Sequence, residues 1–332
     1  MAGTESTGGE GPTVSFNYLA ASVEHSLYRN GRVLTRRDRN GSDSAFEGIV
    51  LDRRELPVRD ARRLESEQRR TVEANGFERL TRPLERAELD FLDHGQVVRD
   101  YYRDCERVVQ DATGAAQAFA FDHNVRSAQG KRSRARVRGG QEVQSPAHVV
   151  HGDYTLTSGP ARLRELSRPP SGNDTLRPFL PEGRSLIPPT SVERSLAQAG
   201  RFAIINVWRN IGAEPVATDP LGLCDARTVE PADLVVFEIH YVDRVGENYF
   251  AKHSPGHDWY FYPGLTRDEV LLIKQWDSAG ALSRSRGAEG DGAAGAEGPC
   301  SFSFHSAFED PDAPPEAPDR WSIEVRCAVL YD

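Results

Sequence analysis

Short apolar runs, separated by turn residues, recur along most of the chain. They are rich in β-branched and aromatic residues, which is typical of strands rather than helices. The predicted strands are residues 14–20, 118–121, 149–155, 202–207, 234–241, 259–262, 270–276, 301–305 and 322–330. Many short strands after a helical N-terminal part predict a mainly β fold with flanking helices, built as a jelly-roll or barrel.

Helical patterns concentrate before Gly114. Apolar residues recur at spacings of three to five from Leu89 to Val108, which predicts a helix over residues 85–113 that stops at Gly114. Residues 59–73 are expected to form a solvated helix, and residues 160–166 a short one. We therefore expect a single domain over residues 13–332, with a helical part at about 13–117 and a β core at about 118–332.

Three segments are predicted to lie outside the core. Residues 1–12 are small and polar without the pattern of a secretory signal, and are expected to be a disordered leader. Residues 279–299 are rich in Gly, Ala, Ser and Glu, and predict a flexible insertion. Residues 129–144 carry basic side chains among Gly and Ser. We favour a solvated loop there over an anion or nucleic-acid patch, because no aromatic residue is interleaved for base stacking.

The composition argues against several classes of protein. The 332 residues include 41 basic and 50 acidic side chains, a formal net charge of −9, which argues against a general nucleic-acid binder. No run approaches the ~20 apolar residues of a membrane span. The cysteines Cys105, Cys224, Cys300 and Cys327 form no C-x-x-C pair, as expected for a reduced, cytoplasmic protein. We expect a small-molecule partner, and leave a homodimer open.

Candidate chemistry begins with His151-Gly152-Asp153. Residues two apart on a strand point to the same face, so His151 and Asp153 could bind one metal ion together. His305 lies on a distant run, and two histidines with one carboxylate form the facial arrangement of non-haem Fe(II) oxygenases. The H-x-D triplet alone is a weak signal. It becomes specific when His305 and then Arg320-Trp321-Ser322 follow in order, because a guanidinium and a hydroxyl on one face suit a carboxylate.

Motifs in the same order extend from residue 98 to the C-terminus. They resemble those of fungal and bacterial secondary-metabolism oxygenases known as GA4-desaturase-like, or as relatives of a cephem-methoxylase component. That family includes aspergillic-acid hydroxylase-type proteins, an endoperoxide-forming meroterpenoid oxygenase and aziridine-forming amino-acid oxidases. The matching residues are Val150-His151-Gly152-Asp153-Tyr154-Thr155, Ile205-Asn206-Val207-Trp208-Arg209, Asp219-Pro220-Leu221, Cys224-Asp225-Ala226, Trp259-Tyr260-Phe261-Tyr262-Pro263, Asp268-Glu269-Val270, Lys274-Gln275-Trp276-Asp277-Ser278, His305-Ser306-Ala307-Phe308, Pro314-Pro315 and Ser322-Ile323-Glu324-Val325-Arg326.

The resemblance implies a double-stranded β-helix (a cupin-like jelly-roll) that uses Fe(II), 2-oxoglutarate and dioxygen. It implies His151, Asp153 and His305 as the catalytic iron ligands. It also implies a cofactor-binding set in which Arg320 is favoured as the partner of the distal 2-oxoglutarate carboxylate. The remaining candidates of that set are Ser322 on the same face, Arg326 as a rival on the last strand, and Arg209 from the side. The insertion and the basic loop depart from the family pattern outside these motifs, which puts substrate specificity in doubt rather than the metal site.

The expected reaction is oxidation of a C–H bond in a secondary metabolite or an amino-acid-derived substrate, by hydroxylation, desaturation or ring closure. Two alternatives use the same residues: a non-redox small-molecule-binding jelly-roll, and a Zn(II) hydrolase, because zinc also accepts two histidines and an acid. The substrate itself stays open.

Other candidates are weaker. His253 and His257 are four apart, but Pro255 and Gly256 between them make a helical metal pair improbable, so a structural role is favoured for His257. Lys274 lies inside an apolar run, where it either faces solvent or reaches an anion.

Overall fold

The computed structural model describes residues 11–37, 44–64, 68–172, 174–242, 244–285 and 298–331. The expectation of a disordered leader falls mostly on residues 1–10, and that of a flexible insertion mostly on residues 286–297. Both of these ranges lie outside the described residues.

Within the described residues, fourteen strands form two sheets. The strands are β1 (Thr13–Leu19), β2 (Leu34–Arg36), β3 (Leu51–Asp60), β4 (Phe77–Thr81), β5 (Gln117–Arg126), β6 (His151–Gly152), β7 (Phe202–Asn210), β8 (Leu221–Cys224), β9 (Leu234–His240), β10 (Val245–Ala251), β11 (Trp259–Phe261), β12 (Glu269–Asp277), β13 (His305–Ala307) and β14 (Ser322–Leu330). The larger sheet has the order β1-β3-β11-β8-β13-β6-β10-β9-β2, and the smaller has the order β4-β12-β7-β14-β5.

Short helices flank the sheets. They are α1 (His94–Gln96), α2 (Tyr102–Thr113), α3 (Ala128–Arg132), α4 (Ser158–Leu166), α5 (Pro189–Leu196) and α6 (Ala281–Ser285). A π-helical turn, Val97–Tyr101, joins α1 to α2, and single 3-10 turns cover Ala61–Arg63, Ala226–Thr228 and Pro231–Asp233. No helix of the described residues is long and apolar enough to cross a membrane.

The helical stretch before Gly114 is shorter than predicted. It starts at His94, where the Asp93 side chain accepts a hydrogen bond from the backbone N–H of Gln96 and caps the first turn. It stops at Gly114, which adopts a left-handed φ of 66° as the pattern predicts. The predicted start was wrong, because residues 85–93 form turns ahead of the cap. Helix α2 then packs mainly against β5 and β14.

The N-terminal region is not mainly helical, so that prediction was wrong. Residues 13–81 contain β1 to β4, and the helix expected over residues 59–73 is reduced to the 3-10 turn Ala61–Arg63 among the residues described there. Strand β3 pairs with β1 and β11, yet Val58 is its one fully buried position. Strand β3 was not predicted from the sequence, because charged residues on an almost wholly exposed strand give no hydrophobic alternation; the predicted helix overlaps it only at residues 59–60.

The predicted strands of the β core occur in the predicted order with shifted boundaries, but β8 and β10 were not predicted. Strand β14 has the predicted bounds, and every residue of β7 and β12 is buried. Strand β6 keeps only His151–Gly152 of the predicted residues 149–155, and β13 starts at His305 rather than at residue 301. In the smaller sheet β7 and β14 lie side by side, and in the larger sheet β13 lies beside β6. Asn206 of β7 and Arg326 of β14 both contact Asp153, which follows β6, so these parts of the two sheets face each other.

The basic segment over residues 129–144 is paired with acidic side chains. Arg132 contacts Asp319 at 2.7 Å, and Arg138 contacts Asp90 at 2.8 Å. These contacts are on exposed arginines, as expected for a solvated loop.

Candidate metal centre

Two histidines on adjacent strands face each other. His151 on β6 and His305 on β13 are direct register partners, and their ring centroids are 4.2 Å apart. Cross-strand partners have their side chains on the same face, so the sheet itself brings the two rings together. The carbonyl of Val149 lies 2.7 Å from His151 Nδ1, which places the proton on Nδ1 and leaves Nε2 free as a donor to a metal.

Asp153 follows β6 and joins this pair. Its Oδ1 lies 3.7 Å from His151 Nε2. Its Oδ2 accepts a hydrogen bond from Asn206 Nδ2 at 2.9 Å, and its backbone N–H donates to Gln275 Oε1 at 3.0 Å. Asn206 is on β7 and Gln275 on β12, so the smaller sheet fixes the carboxylate that the larger sheet supplies.

The ligand atoms of His151, Asp153 and His305 all lie within 4.8 Å of one another. The two histidines are 7% and 4% exposed, so water is largely excluded from the cluster. Two imidazole nitrogens and one carboxylate oxygen at this spacing fit a first-row divalent ion that keeps open positions, including Fe(II).

Burial and neighbouring charges set the protonation of the cluster. Burial, and then the positive charge of His305, lowers the pKa of His151 to about 4, which favours the neutral imidazole that a metal requires. Burial also lowers the pKa of His305. For Asp153, burial alone would raise the pKa, but Arg326 and the two histidines outweigh it and hold the pKa below its ordinary value.

Arg320 and Ser322 lie buried with unmet hydrogen-bonding capacity. Arg320 Nη1 donates to the carbonyl of Asp219, and its guanidinium lies 5.6 Å from the Trp208 ring centroid. Arg320 Nε and Ser322 Oγ have no hydrogen-bond partner. Leaving a buried donor unsatisfied costs about 1–3 kcal/mol, so this pair fits an anionic ligand such as a carboxylate.

Arg326, the rival on the same strand, is occupied by protein carboxylates. Its guanidinium contacts Asp122 at 3.0 Å, Glu324 at 3.3 Å and Asp153 at 3.4 Å. The Arg326 guanidinium is therefore paired with protein carboxylates, including Asp153 of the metal cluster, and is not free to bind 2-oxoglutarate.

Arg209 is not brought to the cluster. It donates to Tyr101 Oη at 2.9 Å and to the carbonyls of Arg82 and Arg267, which satisfies both ends of its guanidinium with protein groups. The expectation that Arg209 binds a carboxylate ligand is thus corrected, because its guanidinium already donates to Tyr101 and to two backbone carbonyls.

Lys274 and His257 also have structural partners. Lys274 Nζ contacts Asp277 at 2.9 Å and Glu73 at 3.2 Å, so the anion that it reaches belongs to the protein. His257 lies between Tyr18 and Asp233, each at 3.1 Å, as expected for a structural histidine. His253 packs on Tyr18, away from the metal cluster.

Sequence reasoning missed the residues that orient Asp153. Asn206 and Gln275 are polar residues inside strands whose every position is buried. A buried polar side chain requires a partner, and that was the available signal. The sequence did not identify the partner, because Asn206 lies on the smaller sheet while Asp153 follows a strand of the larger sheet.

Comparison with known proteins gives one family and several relatives. A sequence profile described as "Oxidoreductase/YMDC permease-like domain" matches residues 16–179 and 183–330. A Methylophilus leisingeri protein named for the dcmA 3' region is 45% identical over 195 residues, covering 59% of this chain and 88% of that protein. The Fe(II)/2-oxoglutarate-dependent dioxygenase nvfI of Aspergillus novofumigatus is 30% identical, covering 72% of this chain and 69% of its own. The hydroxylase/desaturase poxK of Penicillium oxalicum is 29% identical, covering 71% of this chain but 66% of its own length.

Solved structures give the fold. Two structures of the iron and alpha-ketoglutarate-dependent endoperoxidase NvfI superpose with TM-scores of 0.68 and 0.66 at 21% identity. They cover 98% and 96% of this chain, and 99% and 97% of their own. The predicted jelly-roll core with flanking helices is therefore confirmed.

Proposed function

The chain belongs to the Fe(II)/2-oxoglutarate-dependent dioxygenase family, and from that premise we propose that His151, Asp153 and His305 hold its iron. Membership of the family makes the chain an oxidoreductase that uses Fe(II), 2-oxoglutarate and dioxygen. It favours this activity over the two alternatives, a non-redox binding jelly-roll and a Zn(II) hydrolase.

The protein's own groups would hold and orient the reactants. When bound, Fe(II) with 2-oxoglutarate and dioxygen supplies the oxidising power that breaks a substrate C–H bond. The Val149 carbonyl fixes the His151 tautomer that presents Nε2. Asn206 and Arg326 contact Oδ2 of Asp153, so Oδ1, which lies towards His151, would be the oxygen that holds the metal.

Arg320 and Ser322 are the proposed partners of the 2-oxoglutarate carboxylate that points away from the metal. Their unsatisfied donors, Nε and Oγ, are the support for this assignment. A planar guanidinium matches a carboxylate in a two-pronged contact, and the hydroxyl adds a third donor.

The observation that carries the metal proposal is the buried convergence of the three ligand atoms within 4.8 Å. Its test is the iron content of anaerobically prepared protein, together with succinate formation from 2-oxoglutarate. Asp153→Ala is expected to lose stoichiometric Fe(II) and activity while its circular dichroism spectrum stays native, because two histidines alone bind the ion weakly.

The matched control is His253→Ala, which removes a histidine outside the cluster and should retain iron. Stoichiometric Fe(II) in folded Asp153→Ala would contradict the ligand assignment. Loss of iron from His253→Ala but not from His305→Ala would show that the wrong histidine had been chosen.

For the substrate we propose a small molecule of secondary metabolism. The support is that the relatives include proteins named as a hydroxylase/desaturase, a dioxygenase and an aspirochlorine biosynthesis protein. A cytoplasmic location stays a proposal that rests on four unpaired cysteines. The absence of a nucleic-acid partner, the homodimer and the single-domain division stay predictions from the sequence.

A further inference from the structure

We propose that Arg126 is a second guanidinium of the 2-oxoglutarate site, and that it binds the carboxylate remote from the metal together with Arg320 and Ser322. This inference rests on the proposed function, because it assigns one more residue to the same ligand.

The sheet register places Arg126 beside the other two residues. Arg126 ends β5, and its register partner on β14 is Ser322, two residues after Arg320. On the other side of β14, Ser322 pairs with Asn210 of β7. Directly opposed side chains lie on the same face of a sheet, so Arg126 and Ser322 project together towards the space between the two sheets. The Arg320 guanidinium reaches the same face, since it lies over Trp208, the register partner of Glu324.

The three side chains leave several donors unused. Arg126 Nη1 donates to the carbonyl of Ser145 at 2.9 Å, while its Nε and Nη2 donate to no group in the described chain. Arg320 Nε and Ser322 Oγ are buried without a partner. A carboxylate can accept about four hydrogen bonds through its two oxygens, so one carboxylate matches this set of donors.

The charges around Arg126 and Arg320 also favour a bound carboxylate. The pKa of Arg320 is lowered to about 10: burial lowers it most, Asp219 opposes this, and the nearby positive charge of Arg126 adds to the lowering. Burial also lowers the pKa of Arg126, and Glu324 offsets part of this. A buried guanidinium and a half-buried one that repel each other favour an anionic ligand. The competing role for Arg126 is that of a counter-ion to Glu324 alone.

Two ligands separate these roles. 2-Oxoglutarate and 2-oxopentanoate have the same metal-chelating 2-oxo acid end, but only 2-oxoglutarate has a remote carboxylate. Binding of each to the anaerobic Fe(II) protein is followed by the metal-to-ligand charge-transfer band. We expect Arg126→Gln to raise the Kd of 2-oxoglutarate about 10- to 100-fold, the loss of one charge-assisted contact, with the Kd of 2-oxopentanoate changed less than about threefold.

Arg320→Ala should show the same selectivity. Because both arginines contact one carboxylate, the double variant should lose less than the product of the single effects. Arg126→Lys keeps the charge without the fork, so it should recover only part of the affinity, and it replaces Arg126→Gln if the latter is unfolded by circular dichroism. The matched control is Arg138→Gln, which removes one positive charge from an exposed arginine paired with Asp90 and Asp93. Its affinities should be unchanged.

Equal weakening of both ligands in Arg126→Gln would overturn the inference and make Arg126 a counter-ion of Glu324. Unchanged binding of both ligands would remove Arg126 from the site. If the unaltered protein retains Fe(II) but develops no band with 2-oxoglutarate, the proposed function fails, whatever the variants do.

Discussion

At the scale of single residues, Arg326 is the cation that joins three carboxylates near the metal cluster. It is shared by the carboxylates of Asp122, Asp153 and Glu324 at 3.0–3.4 Å. Arg326→Met keeps much of the side-chain volume but leaves three carboxylates without their shared cation. Since breaking a buried ion pair by removing one partner costs about 3–5 kcal/mol, we expect a loss of that size in the free energy of unfolding. Urea denaturation of the metal-free protein measures it.

Arg53→Met is the control for this change. Arg53 also contacts a carboxylate, Glu55 at 3.5 Å, but its side chain is 67% exposed. A solvent-screened pair contributes about 0–1 kcal/mol, so this variant should remain close to the unaltered protein. Equal losses in the two variants would mean that Arg326 has no special structural role.

The sequence pattern predicted which residues of the last strand share a face, but not which of them are already paired with protein groups. Period-two alternation in the last strand placed Arg320, Ser322, Glu324 and Arg326 on one face, and the contact between Glu324 and Arg326 agrees with it. Alternation does not say which of two arginines already has partners. That depends on Asp122 and Asp153, which lie about 200 and 170 residues earlier in the chain and come close only through the sheet pairings.

At the scale of elements, helix α4 is positioned by close contact with β12. A Cβ on Gly159 would lie 2.8 Å from Trp276 Cγ, too close for either group to stay in place. Alanine normally stabilises a helix relative to glycine by about 0.5–1 kcal/mol. A decrease in the free energy of unfolding of Gly159→Ala would therefore come from the close contact with Trp276 and not from helix propensity. We expect the free energy of unfolding to fall by about 1–3 kcal/mol, measured by thermal or urea denaturation.

Gly256→Ala is the matched substitution for Gly159→Ala. The nearest atom to its added Cβ is Ser254 Oγ at 3.6 Å, an ordinary contact, and its backbone needs no left-handed conformation. We expect a change within about 0.5 kcal/mol. A stable Gly159→Ala variant would show that α4 can move away from Trp276 without cost.

Strand β12 is tied to its neighbours at Glu269. This carboxylate accepts from Arg62 through both oxygens at 2.8 Å and from Arg79 of β4 at 2.6 Å. Burial opposes ionisation, but the hydrogen bonds from Arg62, Arg79 and the Thr266 backbone, with the charge of Arg62, together outweigh it, and the pKa falls from 4.5 to about 2. A lowered pKa means that the stabilisation is present above pH 4.5 and is lost as the pH falls towards 2.

Glu269→Gln should therefore lower the free energy of unfolding at pH 7 by about 2 kcal/mol, and by progressively less below pH 4.5. Urea denaturation of both proteins from pH 7 to pH 3 measures the difference. A difference that stays constant across this range would show that ionisation of Glu269 does not contribute.

The long buried strands were predicted well, whereas the short buried strand β8 and the exposed strand β3 were not predicted. Strand β14 has the predicted bounds because apolar residues alternate with polar ones in its first half and run without a break from Cys327 to Leu330. Strand β3 gave no such signal, because its stability comes from pairing with β1 and β11 rather than from a buried face. Its charged, mostly exposed residues therefore showed no strand pattern, and the sequence did not predict it.

At the scale of the whole molecule, the cluster depends on both sheets. The larger sheet supplies the two histidines, and the smaller sheet supplies Asn206, Arg320 and Arg326, either on its strands or directly before one. Each sheet presents its part only in the folded chain, since the strands involved are separated by long connections. Changes that leave the two sheets facing each other should therefore leave the proposed metal and 2-oxoglutarate sites intact.

Deletion within the Gly/Ala-rich segment over residues 286–297 tests whether the sites depend only on how the two sheets face each other. Its two flanks approach each other: a Cβ on Gly298 would lie 3.1 Å from Arg284 Nη2, and Gly280 lies against Ser301. A short link can therefore close the chain, and shortening a loop changes its closure entropy by only about 0.6 kcal/mol per halving. We expect deletion of residues 287–296 to change the free energy of unfolding by less than about 1 kcal/mol and to leave Fe(II) stoichiometry and the 2-oxoglutarate band unaltered.

A large loss of stability would show that the segment packs against the domain. Retained cofactor binding with a changed substrate preference would instead assign it a part in covering the site.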